Sequence, residues 1–367
     1  MLKHTFIGLL TLYVRIGMRF FYRKFETVKL DDSIGEGSII IAPTHQNAFM
    51  DALAIVMTQP RTSYFLTQAK VFQSKLGNAF FSYIYMLPIY RERDGMHTII
   101  RNKKIIEKCV DVLVEGEQPV TIFPEGNHNL RRSIRPLQKG IARIAFGVLD
   151  KNPDTNLKIV PVGINYSAHR KFRSDLFVYY GEPFEVKPFY ATYLENNNKG
   201  YIELLAELDK RMRPLTVDMP RGLQYHQVAK TWVSNASGTF NLNENFERNQ
   251  VLLDAIINDS PLPEKKLSDT PKFIKILFSP FWLVMKINNF LAFSLAHTLT
   301  KKLAADPAFE SSMDLVFGIF LSPFVFLIQA IAVMLFTNFE IGAAYFLSIP
   351  LLNYLLFKIY KNSFVVE

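Results

Sequence analysis

The sequence predicts an α/β fold, with a mixed, largely parallel sheet flanked by helices, an N-terminal interfacial helix and a C-terminal transmembrane helical hairpin. Two observations predict the sheet: short apolar runs rich in β-branched residues, and helical patterns that alternate with them in the first part of the chain. A third observation, two long uncharged runs near the C-terminus, predicts the hairpin.

Short apolar runs and helical patterns alternate over the first half of the chain. The runs with strand character are residues 38–42, 63–68, 119–123, 157–165 and 175–180. The helical patterns between them are residues 49–57, 97–114 and 140–149. This alternation favours a sheet with helical crossovers over an all-α or all-β fold.

Composition restricts the partners that this chain can bind. Apolar residues make up 49% of the chain and charged residues 20%, which argues against overall disorder. Lysine and arginine outnumber the acidic residues 42 to 33, so an anionic partner is expected. With so much apolar sequence, a membrane surface and phosphate-bearing substrates rank above nucleic acid, and no nucleic-acid partner is expected.

The lone cysteine, Cys109, lies in a helical pattern without a neighbouring histidine. We interpret it as a core residue rather than a nucleophile. A single cysteine allows no intrachain disulfide, which fits a reducing compartment.

The N-terminal apolar run, residues 5–22, is interrupted by Arg15 and Arg19 and ends at Arg23 and Lys24. No small-residue cleavage site follows, so no cleavable signal peptide is predicted. We interpret the run as an amphipathic helix in the membrane interface, with its basic side chains reaching the phosphate headgroups. A helix packed on the domain's own core is the alternative.

Two uncharged runs near the C-terminus are long enough, or nearly so, to cross a membrane. Residues 315–336 can span a hydrocarbon core of ~30 Å, and residues 341–357 are at the short limit. The connecting loop carries no positive charge, whereas lysines flank the pair at Lys301, Lys302, Lys358 and Lys361. By the positive-inside rule both outer ends are cytoplasmic, which places the α/β domain on the cytoplasmic face of the membrane.

The predicted organisation has five segments. They are an N-terminal membrane-associated segment (1–30), the α/β domain (31–213), a helical extension (214–258), a linker (259–271) and a C-terminal membrane region (272–367). Three prolines and mixed charge predict the linker. Within the last segment, Lys286 interrupts the apolar stretch 273–296, which is therefore expected to be interfacial or re-entrant.

A histidine and an aspartate follow the first strand pattern. In the run IIIAPTHQNAFMD, the strand delivers His45 into a loop, and a helix-like segment then carries Asp51. Six residues correspond to about 240° of helical rotation, so the side chains meet only if the chain turns between His45 and the helix. A carboxylate bonded to one imidazole nitrogen makes the other nitrogen a better base.

A second block, PVTIFPEG, ends a strand pattern with Phe123, Pro124, Glu125 and Gly126. We expect it at the sheet edge, where α/β proteins bind ligands and where glycine permits close backbone approach. The basic residues that follow are donors suited to a phosphate, with a solvated loop as the alternative interpretation. They are Arg131, Arg132, Arg135 and Lys139.

Two weaker blocks complete the pattern: LPIYRERD, which places Arg91 and Arg93 after a short apolar run, and IVPVGI, a strand pattern broken by proline. In this order, the four blocks resemble the glycerolipid acyltransferase family, of the glycerol-3-phosphate and 1-acylglycerol-3-phosphate acyltransferase (PlsC-like) type. The resemblance covers roughly residues 35–185. Four blocks in order at fitting distances make it specific.

Two positions depart from the family pattern. The His-x5-Asp spacing of His45 and Asp51 is one residue longer than the commonest form and is similar to a variant found among some glycerol-3-phosphate acyltransferases. Asn127-His128-Asn129 replaces the usual Thr-Arg-Ser. The phosphate contact of the missing arginine is therefore left to Arg131, Arg132 or Arg135. We interpret His128 as a polar loop residue, with a second base as the alternative.

The resemblance implies transfer of a fatty acyl group from a thioester to a hydroxyl of a glycerol-phosphate acceptor in phospholipid synthesis. It implies that His45 is the base, that Asp51 orients it, and that Arg91 and Arg93 hold the acceptor phosphate. The block from Phe123 to Gly126 would then shape the acceptor site, with Glu125 bonding a hydroxyl or an arginine. The implied donor is acyl-CoA or an acyl-carrier protein, membrane lipid is a further partner, and neither a metal nor a cofactor is expected.

The acceptor expected first is 1-acylglycerol 3-phosphate, which gives phosphatidic acid. Glycerol 3-phosphate or another lysolipid is the nearer alternative. Two alternatives differ in the kind of function: a non-catalytic lipid-binding membrane protein and a thioester hydrolase.

Overall fold

A computed structural model describes residues 2–29, 36–72, 74–90, 98–304, 306–360 and 364–367. The chain forms two compact units that are interleaved along the sequence. The first comprises Met1–Thr11, Thr27–Asn165 and Val178–Arg221, and the second Leu12–Glu26, Tyr166–Phe177 and Gly222–Glu367. The predicted division into five segments stays a prediction. The two compact units show which parts of the chain pack together, and they do not show which segments fold or function independently.

The described residues form an eight-stranded mixed sheet. The strands are β1 (Lys24–Lys29), β2 (Ser38–Pro43), β3 (Tyr64–Gln68), β4 (Met86–Ile89), β5 (Val120–Thr121), β6 (Leu157–Tyr166), β7 (Asp175–Tyr180) and β8 (Phe184–Glu185). Their order is β1-β7-β6-β2-β5-β3-β4, with β8 paired to β6. The pairs β6–β2, β2–β5, β5–β3 and β3–β4 are parallel, and β8 runs antiparallel to β6. The predicted fold class, a mixed and largely parallel sheet, is confirmed.

Helices connect the strands and make up the C-terminal part of the chain. They are α1 (Leu2–Phe21), α2 (Ala48–Thr58), α3 (Lys75–Tyr83), α4 (Thr98–Glu115), α5 (Gly140–Lys151), α6 (Tyr190–Glu195), α7 (Asn197–Met212), α8 (Tyr225–Asn235), α9 (Leu242–Ile257), α10 (Lys272–Leu277), α11 (Ser279–Leu303), α12 (Glu310–Phe336) and α13 (Phe339–Tyr360).

The core of the first unit lies between the central strands and the helices α4, α5 and α7. All six residues of β2 are buried, as expected for a strand covered on both faces. Cys109 of α4 is 0% exposed and packs among Leu113, Phe146 and Leu208, so its interpretation as a core residue is confirmed. Burial raises the pKa of its thiol to about 12.

One predicted strand is shorter than expected. The pattern at 119–123 predicts five residues, and the structure has a strand at Val120–Thr121 only. The backbone N–H of Ile122 still donates to the carbonyl of Ile41 at 2.9 Å, after which the chain leaves the sheet. Pro124 has no N–H with which to continue the ladder, so the strand gives way to the loop that carries Glu125.

The C-terminal region contains two helices that are long and apolar enough to cross a membrane: residues Pro307–Phe336, which include α12, and Phe339–Tyr360, which is α13. Few residues of these two helices are buried inside the protein, as expected for helices that face lipid. The two uncharged runs predicted as spans lie within them. The stretch 273–296 falls in α10 and α11, and its interfacial or re-entrant placement stays a prediction.

Amide side chains connect these helices inside the second unit. Asn289 of α11 and Asn353 of α13 are both buried and exchange two hydrogen bonds, at 2.6 and 2.9 Å. Gln329 of α12 donates to the main-chain carbonyl of Asn288 at 2.9 Å. Polar contacts of this kind are typical of packed membrane helices.

Candidate active site

Parallel pairing brings the two principal sequence blocks to one edge of the sheet. Strands β2 and β5 are neighbours, and Ile41 of β2 lies opposite Thr121 of β5. His45 lies four residues beyond Ile41, and Glu125 lies four residues beyond Thr121. Because parallel strands end at the same edge, the equal spacing places the two residues side by side. The main-chain N–H of His45 donates to Oε1 of Glu125 at 2.7 Å.

A turn before α2 brings Asp51 back to His45. Ala48, the first residue of α2, has a φ of 44°, in the left-handed region that few non-glycine residues adopt. In the first turn of the helix, Oδ2 of Asp51 accepts the N–H of Asn47 at 2.7 Å and lies 2.8 Å from Nδ1 of His45. The left-handed residue supplies the turn that the His-x5-Asp spacing requires.

The His45 imidazole is oriented for use as a base. The side chain of Asp51 is 0% exposed and that of His45 is 15% exposed, so the pair is held inside the protein with one side near solvent. An ionised carboxylate can only accept, so it favours the tautomer of the neutral imidazole in which Nδ1 carries the hydrogen and Nε2 has the lone pair. The ring stacks on Phe123, with 4.1 Å between centroids, and the ring of His128 approaches edge-on at 5.6 Å.

Both carboxylate oxygens of Glu125 accept hydrogen bonds from the protein. Its Oε1 accepts the N–H of His45, and its Oε2 accepts the main-chain N–H of Arg135 at 3.1 Å and Nε of Arg135 at 2.9 Å. Burial raises the pKa of the Glu125 carboxyl, against the opposing effects of the Arg135 charge and these hydrogen bonds. The side chain is 2% exposed, so the carboxylate ties the His45 loop to the loop of Arg135.

The guanidinium of Arg135 also donates hydrogen bonds to the residues around His45. Besides Glu125, it donates from Nη2 to the main-chain carbonyl of His45 at 3.1 Å. It also donates from Nη1 to Oδ1 and from Nη2 to the main-chain oxygen of Asn127. Its donors are therefore directed at protein oxygens, an arrangement that positions the loops around His45.

The other arginines of the predicted site differ in their surroundings. Arg131 is exposed. Arg132 is 6% exposed, and its carbonyl accepts the N–H of Met219 at 2.7 Å. Arg91 and Arg93 lie outside the described residues, directly after the carboxyl end of β4 in the sequence.

Pro124 and Gly126 shape the turn after β5. The carbonyl of Pro124 accepts the N–H of Gln138 at 2.7 Å. Gly126 has a φ of 75°, and a Cβ there would lie 3.0 Å from Cγ of Gln138. Both the backbone conformation and the close approach favour glycine at this position.

Sequence reasoning missed the contributions of Asn47 and Asn127. Asn47 acts through its main-chain N–H, and Asn127 through its main-chain and side-chain oxygens. Main-chain contacts have no residue-type signal, so the sequence offered nothing that could have identified these two main-chain contacts. Within the described ranges, no group of three or more His, Cys, Asp or Glu side chains is arranged to hold a metal ion.

The fold and the site define an α/β domain with a His–Asp pair and a Phe-Pro-Glu-Gly turn at the carboxyl edge of its parallel strands. Residues 23–165 match the family model described as Acyltransferase. The match includes His45, Asp51 and the block from Phe123 to Gly126.

Two curated relatives and one solved structure are similar to parts of the chain. Glycerol-3-phosphate O-acyltransferase 1 of Saccharomyces cerevisiae is 43% identical over 101 residues, which are 27% of this chain and 13% of that protein. Glycerol-3-phosphate O-acyltransferase 2 of the same organism is 32% identical over 102 residues, which are 28% of this chain and 14% of that protein. The chain thus covers only a small part of these much longer relatives.

The crystal structure of the 1-acyl-sn-glycerophosphate (LPA) acyltransferase, PlsC, from Thermotoga maritima aligns with 56% of this chain and 78% of its own. The identity is 16% and the TM-score is 0.40. This similarity is too low to carry an argument about function.

Proposed function

We propose that the chain is an O-acyltransferase that moves a fatty acyl group from a thioester to a hydroxyl of a glycerol-phosphate acceptor. The observation that carries the proposal is the 2.8 Å contact between His45 Nδ1 and buried Asp51, which leaves Nε2 as the base. Its position beside the Phe-Pro-Glu-Gly turn, inside the region that matches the Acyltransferase family, supports the proposal.

The reaction needs one base and no covalent enzyme intermediate. His45 Nε2 takes the proton of the acceptor hydroxyl while the oxygen attacks the thioester carbonyl carbon. The tetrahedral intermediate then expels the thiolate, which recovers the proton from the imidazolium. Asp51 holds the imidazole in the required tautomer and stabilises the imidazolium. General-base assistance of this kind contributes roughly 10²–10⁴-fold to the rate.

We propose two roles for the charged residues around His45. Glu125 and Arg135 position the His45 loop, because their hydrogen bonds run to one another and to His45. The acceptor phosphate is held by arginines outside this cluster. Arg91 and Arg93 follow β4, whose carboxyl end lies at the same edge as His45, and exposed Arg131 follows the Phe-Pro-Glu-Gly turn.

Different observations favour the two candidate acceptors. The relatives named as glycerol-3-phosphate O-acyltransferases, together with the His-x5-Asp spacing, favour glycerol 3-phosphate. The modest length of the α/β domain favours 1-acylglycerol 3-phosphate, the acceptor expected first from the sequence. The donor is proposed to be acyl-CoA or an acyl-carrier protein.

We propose that the chain is anchored in a membrane by a hairpin of α12 and α13. In the second unit, contacts join residues before and after the apolar helices: the ring of Phe364 lies against Gly238, where a Cβ would come within 1.9 Å of it. The N–H of Glu367 donates at 3.0 Å to the carbonyl of Ser167, which directly follows β6. Residues that contact one another lie on the same side of a membrane. Contacts between the residues before and after the two apolar helices therefore support an even number of membrane crossings.

The cytoplasmic placement of the catalytic domain follows from that hairpin and the flanking lysines. Asn338 lies at the hairpin tip, so a cysteine in an Asn338→Cys variant should react with a membrane-impermeant maleimide added to intact cells. Buried Cys109 should not react. Reaction of the tip only after the cells are opened would reverse the proposed orientation.

An acceptor-dependent thiol-release assay tests the reaction. The purified chain in detergent is given long-chain acyl-CoA, or the matching acyl-carrier protein, with glycerol 3-phosphate or 1-acylglycerol 3-phosphate. The His45→Ala variant is compared with His226→Ala, which removes an exposed histidine of α8.

Thiol release that requires one acceptor, is lost in His45→Ala and is kept in His226→Ala supports the proposal and identifies the acceptor. Release without an acceptor would indicate a hydrolase. Silence with both donors and both acceptors would contradict the proposal.

A further inference from the structure

A continuous apolar surface of the first unit is formed by α3 and the first half of α1. On α3, Leu76 is 86% exposed, Phe80 44% and Tyr83 39%, at the spacing of one helical face. On α1, Phe6 is 44% exposed and Leu9 63%. We call these five residues the α1–α3 surface. Every residue of α3 is at least partly exposed, although the helix is rich in large apolar side chains.

Ring contacts hold the two helices together at this surface. The rings of Phe6 and Tyr83 meet edge to face, with 5.7 Å between centroids. The Nζ of Lys3 lies 3.8 Å from the ring centroid of Tyr85, which follows α3. The surface is therefore a built feature of the fold rather than a set of isolated exposed residues.

The charged residues of the segments that contain α1 and α3 are basic. Residues 1–25 and 52–90 contain no aspartate or glutamate, whereas Lys3, Lys70 and Lys75 lie beside the apolar side chains in the sequence. Lys70 and Lys75 are exposed. An apolar face with a basic border complements an anionic bilayer, in which headgroup phosphates lie above the hydrocarbon.

The surface is close to the catalytic edge along the chain. Strand β3 is parallel to β5 and ends at Gln68, at the edge where Glu125 follows β5. Helix α3 begins at Lys75, seven residues after the end of β3. A bilayer that contacts α3 would thus lie near the edge that carries His45.

We propose that the α1–α3 surface docks on an anionic bilayer, with Leu76 and Phe80 of α3 below the headgroups and Lys70 and Lys75 at the lipid phosphates. This contact is additional to the hairpin of α12 and α13. It presents the catalytic edge to the lipid in which acyl chains are dissolved. The docking goes beyond the proposed reaction, and its test does not depend on catalysis.

Site-directed fluorescence on the full-length chain in vesicles tests the proposal. A bimane label is placed at Leu76→Cys, and a control label at Asn156→Cys, an exposed position in the loop before β6. Native Cys109 can stay, because it is 0% exposed and its thiol has a pKa of about 12. The vesicles contain phosphatidylcholine with or without phosphatidylglycerol, and the quenchers are brominated lipid and aqueous iodide.

We expect the label at Leu76→Cys to emit at shorter wavelength, to be quenched several-fold more by brominated lipid than the control label, and to be protected from iodide. The double variant Lys70→Glu with Lys75→Glu should reduce this lipid quenching on phosphatidylglycerol vesicles. A matched pair of exposed lysines on α7, changed as Lys199→Glu with Lys210→Glu, should leave it unchanged.

Two results would overturn the docking proposal. Equal iodide quenching of both labels would show that the surface stays in water. Protection of the Leu76→Cys label from both quenchers would show that protein, such as a second copy of the chain, covers the surface. Because neither readout involves acyl transfer, failure of the docking proposal and failure of the proposed reaction are distinguishable.

Discussion

Replacement of Asp51 by asparagine tests how much the carboxylate contributes to the base. One oxygen, Oδ2, accepts from both His45 Nδ1 and the N–H of Asn47. An amide oxygen in that place can keep both hydrogen bonds, so Asp51→Asn should preserve the loop and remove the charge. The imidazolium that forms during the reaction would then lose its ionic partner.

The expected loss follows from the geometry of the pair. A unit charge pair separated by roughly 4 Å at an effective dielectric constant of about 20 interacts by about 4 kcal/mol. The neutral hydrogen bond that remains in Asp51→Asn retains about 1 kcal/mol. A difference of about 3 kcal/mol corresponds to a decrease in kcat of about 150-fold. The KM of the acceptor should change little, because the charge acts on the transition state.

Steady-state thiol release measures this effect, with His45→Ala and Asp218→Asn assayed beside Asp51→Asn. Asp218 is a useful control because its carboxylate also accepts a main-chain N–H, from Ile134 at 2.8 Å, but pairs with Arg213 rather than an imidazole. Asp218→Asn should leave kcat near that of the parent chain. A decrease in kcat below about tenfold in Asp51→Asn, or an effect confined to KM, would refute the electrostatic reasoning.

Three further predictions concern other parts of the chain. Arg135→Ala leaves the carboxylate of Glu125 buried without its cation and should destabilise the first unit by about 3 kcal/mol, measured by denaturant titration. A double-mutant cycle with Glu125→Gln should show that the two stability losses are coupled. Additive losses of stability would contradict the pairing. Cys109 should resist a thiol reagent at pH 8 and react only after denaturation. Burial raises the pKa of its thiol to about 12 and keeps it protonated well above neutral pH. Rapid reaction of the folded chain would contradict the burial of Cys109. Asn289→Ala should destabilise the packing of α11 on α13 by about 1 kcal/mol, because it leaves the amide of Asn353 buried without its partner. The double variant Asn289→Ala with Asn353→Ala should lose less stability than the sum of the two single changes. The thermal unfolding temperatures of the three variants in detergent make this comparison.

Much of the fold and part of the site follow from local sequence patterns. Strand and helix periodicities predict the α/β sheet because each reports which face of an element is buried, and this requires only neighbouring residues. The strand at 119–123 was predicted too long, because a run of apolar residues does not show where the chain leaves a ladder. His45 and Asp51 were identifiable because an imidazole and a carboxylate flank one turn, and the structure places their atoms 2.8 Å apart.

The sequence by itself also determined that α12 and α13 are long and apolar enough to cross a membrane, since length and the absence of charge are local properties. Only the tertiary structure decided how His45 is held: the partners that fix its main chain, Glu125 and Arg135, lie 80 and 90 residues away. The exposure of Leu76 was likewise decided by the packing around α3. Contacts between distant segments depend on strand order, register and main-chain geometry, and none of these has a residue-by-residue signature in a single sequence.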